Sequence, residues 1–295
     1  MFRQICKAPD VGHENTDLLL FTFEGERIFR YRVVRLREDM NVIRIEMDDL
    51  TRRYQIDFMP SLNWNFDGDL VGANVFLGSF QQWANFWTSS ISLGLGAPTD
   101  DDRLTRGGPV ARRPGSLNVG GGINTDQRKP YFFHICGNGQ RTTEGGWRAG
   151  SHAAVTFRPT SAMEVRVDTE YRRDHSVAQY VRTVADPLAE ATYGARYVFG
   201  ELDQTTVSTS IRASWTFTPR LSLQLWAQPF LATGDYGRFK ELHQPRRWAW
   251  DVYGEDTGSI AESEGTYTVD PDGSGPAEVF SFGNPDFNIR SLRGN

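Results

Sequence analysis

The stretch Thr205–Leu231, TTVSTSIRASWTFTPRLSLQLWAQPFL, decides how the rest of the chain is read. From Val207 to Phe217 every second residue is apolar or threonine, and between them stand Ser208, Ser210, Arg212, Ser214 and Thr216. Thr218, Pro219 and Arg220 interrupt. Leu221, Leu223, Leu225 and Ala227 then alternate with Ser222, Gln224 and Gln228, and only Trp226 breaks the second pattern. Successive side chains of a strand point to opposite faces, so the pattern predicts a β-hairpin with one apolar and one polar side. Eleven alternating residues, Val207 to Phe217, match what a tilted strand needs to cross a bilayer. In a soluble sandwich the apolar side would lie under a second sheet; in an outer-membrane barrel it would meet lipid. Alternation alone does not separate the two.

Working outward, the 295 residues are enough for one or two domains. Lys and Arg number 32 against 37 Asp and Glu, a net charge of −5, which argues against a nucleic-acid partner. Hydrophobic residues make up 39% and aromatics 13%, with 29 glycines, a balance suited to a barrel with a polar interior and also to soluble β-proteins. The two cysteines, Cys6 and Cys136, can pair, but two free thiols are the preferred reading, and neither sits in a metal motif. No run approaches the length of an apolar membrane helix. The N-terminal MFRQICKAPDVGHENTD lacks the apolar core of a signal peptide, so an export signal is expected in sequence outside this chain, as in a fragment.

In order along the chain, residues 1–50 form a poorly assigned N-terminal part, irregular to residue 15 and then two or three strands over 17–47. Residues 51–295 form the barrel segment. Strands are expected at 52–65, 71–77, 83–96, 117–124, 131–140, 147–157 and 163–171, with a turn around Asp126–Pro130 pairing 117–124 with 131–140. Long outer loops are expected at 98–115, at 174–203, which carries a short hairpin, and at 232–287, and a Gly-rich loop over GNGQRTTEGG, residues 137–146. The last excursion is long enough for a small lobe with hairpins of its own, and a further strand begins near Arg290. Thr156-Phe157-x-Pro159 recurs as Thr216-Phe217-x-Pro219, each closing one alternating strand and opening another. Both turns should therefore lie at one end of the sheet, with an even number of crossings between them.

Glu164, Arg166, Asp168, Glu170 and Arg172 alternate with the apolar face of their strand, and charges so placed do not face lipid. With Arg212, Gln224 and Gln228 they are the predicted lumen-facing set, either lining a solute path or pairing with one another across a closed interior. Asp270 and Asp272, in DPDGSG, are a weak calcium candidate, because spaced carboxylates around a glycine suit an oxygen-seeking ion. They lack an EF-hand glutamate, and Asp-Gly is also a turn signal. Gly120–Gly122 precede no helix, so a phosphate cradle is not expected; glycines facing an aromatic neighbour are the preferred reading. His13, His134, His152, His175 and His243 show no metal spacing, and no Gly-x-Ser-x-Gly elbow occurs. A barrel hydrolase would need Ser or Asp within reach of His152 or His175. Arg103–Arg106, Arg112-Arg113 and Arg246-Arg247 read as solvated loop charge. The residues point to no catalysis and no cofactor.

Four strings taken together resemble a known family: DRLTRGGP (102–109), HSVAQYVRTVADPLAEATYGARYVFGELDQTTVS (175–208), WTFTPRLSLQLWAQPFLATGDYGRFKEL (215–242) and NPDFNIRSLRGN (284–295). They are similar to the C-terminal part of a bacterial outer-membrane β-barrel family of unknown function, domain of unknown function 5916, over about residues 65–295. The resemblance implies an N-terminal family-nine-like carbohydrate-binding domain in full-length members, absent here, and further strands past SLRGN. It brings no catalytic residues. The expected fold is an all-β, antiparallel, up-and-down membrane β-barrel, partial or open and missing C-terminal strands, with eight to twelve strands. The expected function is that of an outer-membrane barrel of structural or transport type, with outer-membrane lipid as partner and glycans reached through the absent domain. The alternatives are a soluble or periplasmic β-sandwich binding module and a barrel-embedded hydrolase.

Overall fold

The computed structural model describes residues 50–295, together with the backbone of three strands between residues 16 and 45. The irregular reading of residues 1–15, with Cys6 and His13, lies outside the described residues. The described chain forms β1 (Thr16–Thr22), β2 (Ile28–Arg37), β3 (Met40–Ile45), β4 (Thr51–Trp64), β5 (Leu70–Trp83) and β6 (Thr88–Gly96). The short β7 (Thr99–Asp101) and β8 (Ala111–Arg113) follow, then β9 (Ser116–Asn124), β10 (Tyr131–Thr142), β11 (Trp147–Thr160) and β12 (Met163–Ala185). A 3-10 turn at Glu190–Thr192 leads to β13 (Ala195–Thr218) and β14 (Leu221–Leu242). Last come β15 (Trp250–Val252), β16 (Ser259–Ser263), β17 (Thr266–Asp270), β18 (Phe280–Gly283) and β19 (Phe287–Gly294).

Fourteen of these strands make one sheet; β1 to β15, with the β7–β8 excursion skipped, pair antiparallel in chain order, and β19 joins them on β14. β14 carries β15 along its end at Lys240–Leu242 and β19 along Ala227–Gly234. Among the described residues no pairing joins β19 to β1, so the sheet is open. β16–β18 form a separate three-stranded sheet, and β7 with β8 a two-stranded one. No helix of the described residues is long and apolar enough to cross a membrane, which says nothing about strands.

Register puts the apolar positions of neighbouring strands on one face. Leu77 faces Leu93, Leu93 faces Val119, Val155 faces Val167, Val167 faces Ile211 and Trp215 faces Leu223. In a water-soluble sheet such a face is covered. Here Leu221, Leu223 and Leu225 are 59%, 52% and 47% exposed, and Ile91, Ile123, Ile135 and Phe157 on the same face are exposed as well. Among the described residues no second sheet lies over them.

A conventional core exists at one end only. The three longest strands, β12, β13 and β14, run past the apolar belt and build a lobe with β15 to β18. Its cores gather Val198, Phe239, Tyr253, Val269 and Phe282 in one cluster, and Ala111, Tyr197, Phe199 and Leu242 in the other. Arg196 bridges Asp186 and Glu241 at 2.6 Å each, and the Tyr253 hydroxyl donates to Glu241 at 2.7 Å. Burial drives the Tyr253 phenol pKa upward, with the Glu241 charge beside it acting in the same direction. Burial also opposes ionisation of Asp186, but the Arg196 guanidinium and the Leu188 N–H outweigh it and hold that carboxyl below the ordinary range.

Several expectations need correction. The sheet has fourteen strands, against the eight to twelve expected. The hairpin expected within 174–203 is present but takes up most of the segment, with only residues 186–194 outside its strands. Register shifts between Ser176 and Gln179 and between Tyr180 and Arg182 flip the side-chain phase, so the period-two signal disappears although the strand continues. GNGQRTTEGG is strand as far as Thr142, so Gly137 and Gly139 lie in the sheet, and Gly145 and Gly146 form the turn. The 97–116 connection carries the β7–β8 hairpin. Of the arginines read as solvated loop charge, three are paired: Arg112 lies 3.1 Å from Asp100, Arg113 pairs with Asp101, and Arg246, in a later loop, reaches Asp69 and Asp100 at 2.7 and 2.8 Å; Arg103 is largely solvated, as expected. The lobe in the last excursion and the paired turns near Pro159 and Pro219 are as expected, with two strands, β12 and β13, between the turns.

Candidate functional site

The polar face of the sheet collects the chemistry. The β10–β11 turn pairs Arg141 with Trp147, and the same register sets Cys136 opposite His152 and His134 opposite Ala154. On β9, Gly122 faces Cys136 and Asn124 faces His134. On β12, Glu170 faces His152 and Asp168 faces Ala154. Residues two apart on a strand share a face, so His134, Cys136, His152 and Asp168 converge from three strands.

The ligand atoms of His134, Cys136 and His152 lie within 4.8 Å of one another, and all three residues are half-buried. His134 Nδ1 sits 2.7 Å from Asn124 Oδ1, and the two imidazole rings are 5.1 Å apart. His152 Nε2 is 3.5 Å from Asp168 Oδ1. Arg166 grips Asp168 through Nε and Nη2 at 2.7–3.0 Å. Beside the cluster a cavity of about 280 Å³ is lined by Gln127, Phe132, Thr156 and Arg166 among others. Gly122 makes the crowding possible, since a Cβ there would stand 2.8 Å from the Cys136 Cβ. The neighbour that accounts for this glycine is thus a cysteine, not the aromatic ring expected.

All eight residues of the predicted lumen-facing set share this polar face by register. Arg158 pairs with Glu164 at 2.6 Å, and Arg166 pairs with Asp168. Arg172 Nε lies 2.8 Å from Asp174 Oδ2, near enough for an ion pair but out of line for a hydrogen bond. Gln228 donates to Ser208 at 3.4 Å, and Arg212 and Gln224 line a shallow pocket next to Asn295. Glu170 has no ion-pair partner among the described residues. Asp270 and Asp272 each accept a backbone N–H, from Gly273 and Ala277. Those bonds shape a turn and do not gather a ligand cage.

His175 stands elsewhere, on the apolar side beyond the belt, with Nδ1 3.1 Å from Asp203. His243 pairs with Asp251 at 2.8 Å in the lobe. His152 and His175 therefore each have an aspartate neighbour, as the hydrolase option asked. No serine hydroxyl is hydrogen-bonded to either among the described residues, so no triad is assembled.

The comparisons with known proteins return a single finding. The family described as "Domain of unknown function (DUF5916)" matches residues 30–261. No curated protein and no solved structure matches the chain.

Proposed function

For a chain that belongs to the DUF5916 family, whose description carries no activity with it, we propose an outer-membrane β-barrel segment of structural or transport type. The uncovered apolar face supports this most. Taken at ~3.4 Å per residue and tilted by ~40°, the alternating run Val207–Phe217 rises by about 26 Å, close to the apolar band of a bacterial barrel. Aromatics crowd the end of the sheet with the tight turns: Tyr131, Phe133 and Phe157, with the rings of Trp215 and Phe217 stacked 4.7 Å apart. Such a girdle suits the lipid–water boundary. Toward the other end, Arg173 lies 5.7 Å from the Trp147 ring on the same face, where the belt gives way to charge. The mixed charges of β12 fall on the opposite face, which would be the interior.

An unpaired strand edge is costly in hydrocarbon. The reading therefore requires the free edges of β1 and β19 to be paired in the membrane, with each other or with further strands. In this proposal the protein resides in the bacterial outer membrane with the lobe outside the bilayer, and any dealing with glycans belongs to a separate carbohydrate-binding domain. The test is phase partitioning of the purified chain. Recovery only with detergent or lipid vesicles is the expected result; a monodisperse, detergent-free monomer would favour the soluble sandwich and end the proposal.

A further inference from the structure

The barrel reading makes no use of the histidine–cysteine cluster, and the cluster owes nothing to what lies beyond the apolar face. We propose that His134, Cys136 and His152 form a binding site for one thiophilic transition ion, zinc(II) foremost, with one coordination position open to the adjoining cavity.

Ligand chemistry comes first. Two imidazoles and a thiolate suit borderline-soft ions and not magnesium or calcium, which prefer oxygen. Zinc with Zn–N near ~2.0 Å and Zn–S near ~2.3 Å keeps its ligand atoms about 3.5 Å apart in a tetrahedron. The three atoms here already lie within 4.8 Å. They sit on adjacent positions of two paired strands, so side-chain rotation closes the remaining gap without moving the backbone.

Orientation of the rings is the second argument. An amide oxygen only accepts, so Asn124 Oδ1 at 2.7 Å fixes the proton of His134 on Nδ1 and leaves Nε2 with its lone pair. The Asp168 carboxylate stands 3.5 Å from His152 Nε2, where it would accept the ring proton once Nδ1 ligates the ion. A histidine held through its other nitrogen by a carbonyl or carboxylate oxygen is the usual support of a metal ligand. Arg166 offsets the charge of Asp168 and holds it in place. Gly122 adds a third, independent sign, because any side chain at that position would push against the Cys136 Cβ. Three protein ligands leave a fourth position, and His134 and His152 both line the cavity of about 280 Å³, room for water or a small anion as the exchangeable ligand.

The experiment uses the full chain in detergent with Cys6→Ser, so that Cys136 is the only thiol. Cobalt(II) titration should give one saturable equivalent, with a thiolate-to-metal charge-transfer band and the intense visible bands of four-coordinate cobalt, displaced by zinc(II). Cys136→Ser should abolish the charge-transfer band, His152→Gln should weaken binding at least 100-fold, and Asn124→Ala should weaken it about 10- to 100-fold. Because a variant can lose its fold, alkylation of the unaltered Cys136 gives a second readout: zinc(II) should slow it at least tenfold. Absence of a saturable equivalent, spectra indifferent to Cys136→Ser, or a Cys136 alkylation rate indifferent to zinc would overturn the site. Neither result bears on whether the sheet partitions into membranes.

Discussion

Arg196→Leu should open the lobe without disturbing the rest of the sheet. In the native protein the guanidinium neutralises two carboxylates at 2.6 Å each, and the three side chains are only 10–12% exposed. Removing one partner of a buried ion pair costs about 3–5 kcal/mol, because a charge is left behind without compensation. Here two carboxylates are left, but each keeps another donor: the Leu188 N–H at 2.9 Å for Asp186 and the Tyr253 hydroxyl at 2.7 Å for Glu241. The lower end, about 3 kcal/mol, is therefore expected at pH 7, or roughly a 100-fold rise in the open population.

The pH dependence follows from the direction of the Asp186 shift. Its folded pKa lies below the ordinary value, so its contribution is present above the unfolded carboxylate pKa near ~4 and is lost as pH falls through the folded value. In the variant, Asp186 left buried without the guanidinium takes up its proton at higher pH, so the deficit should be largest at neutral pH and shrink as the solution is acidified, vanishing only below the lowered folded value of Asp186. Native-state proteolysis within residues 243–286 measures the opening directly. Equal cleavage of variant and parent at pH 7, or a deficit that does not change with pH, would refute this account of the network.

Phe199 is 0% exposed and packs edge-on against Trp250 at 4.8 Å, so Phe199→Ala should cost the lobe about 3–5 kcal/mol in denaturant titrations. Leu225→Lys, in the middle of the belt, should destabilise the protein by about 2–4 kcal/mol in lipid vesicles; a change within about 0.5 kcal/mol, as at a hydrated surface, would count against lipid contact. Gly122→Val should cost about 1–3 kcal/mol through the 2.8 Å approach to Cys136. A chemical-denaturation midpoint equal to that of the parent would show that the β9–β10 spacing relaxes freely.

Much of the sheet was legible because one physical regularity wrote it. Over Val207–Phe217 and Met163–Tyr171 the two faces meet different surroundings, so the residues alternate and both strands and their facing can be read off. The reading failed where that cause is absent. In Ser176–Arg182 bulges reverse the phase, and at Gly137 and Gly139 small residues leave no side chain to show a period. The lobe was visible only as length, because its strands bury both sides against local partners such as Val269 and Phe282. The metal-ligand cluster was missed for a related reason. His134 and Cys136 are two residues apart on a strand the alternation shows, but the Gly-rich composition of residues 137–146 reads as a loop and hides the register that brings His152 across. Recognising that β10 and β11 pair about a tight turn at 143–146 would have placed Cys136 beside His152 from sequence alone.

The account rests on which way the two faces of β13 and β14 look, and spin labels placed singly at residues 221 to 225 in lipid vesicles measure that directly. Labels at 221, 223 and 225 should be relaxed by oxygen dissolved in the bilayer and shielded from a water-soluble nickel chelate, with labels at 222 and 224 showing the opposite preference. Nickel access at 221, 223 and 225 equal to that at 222 and 224 would contradict the membrane reading.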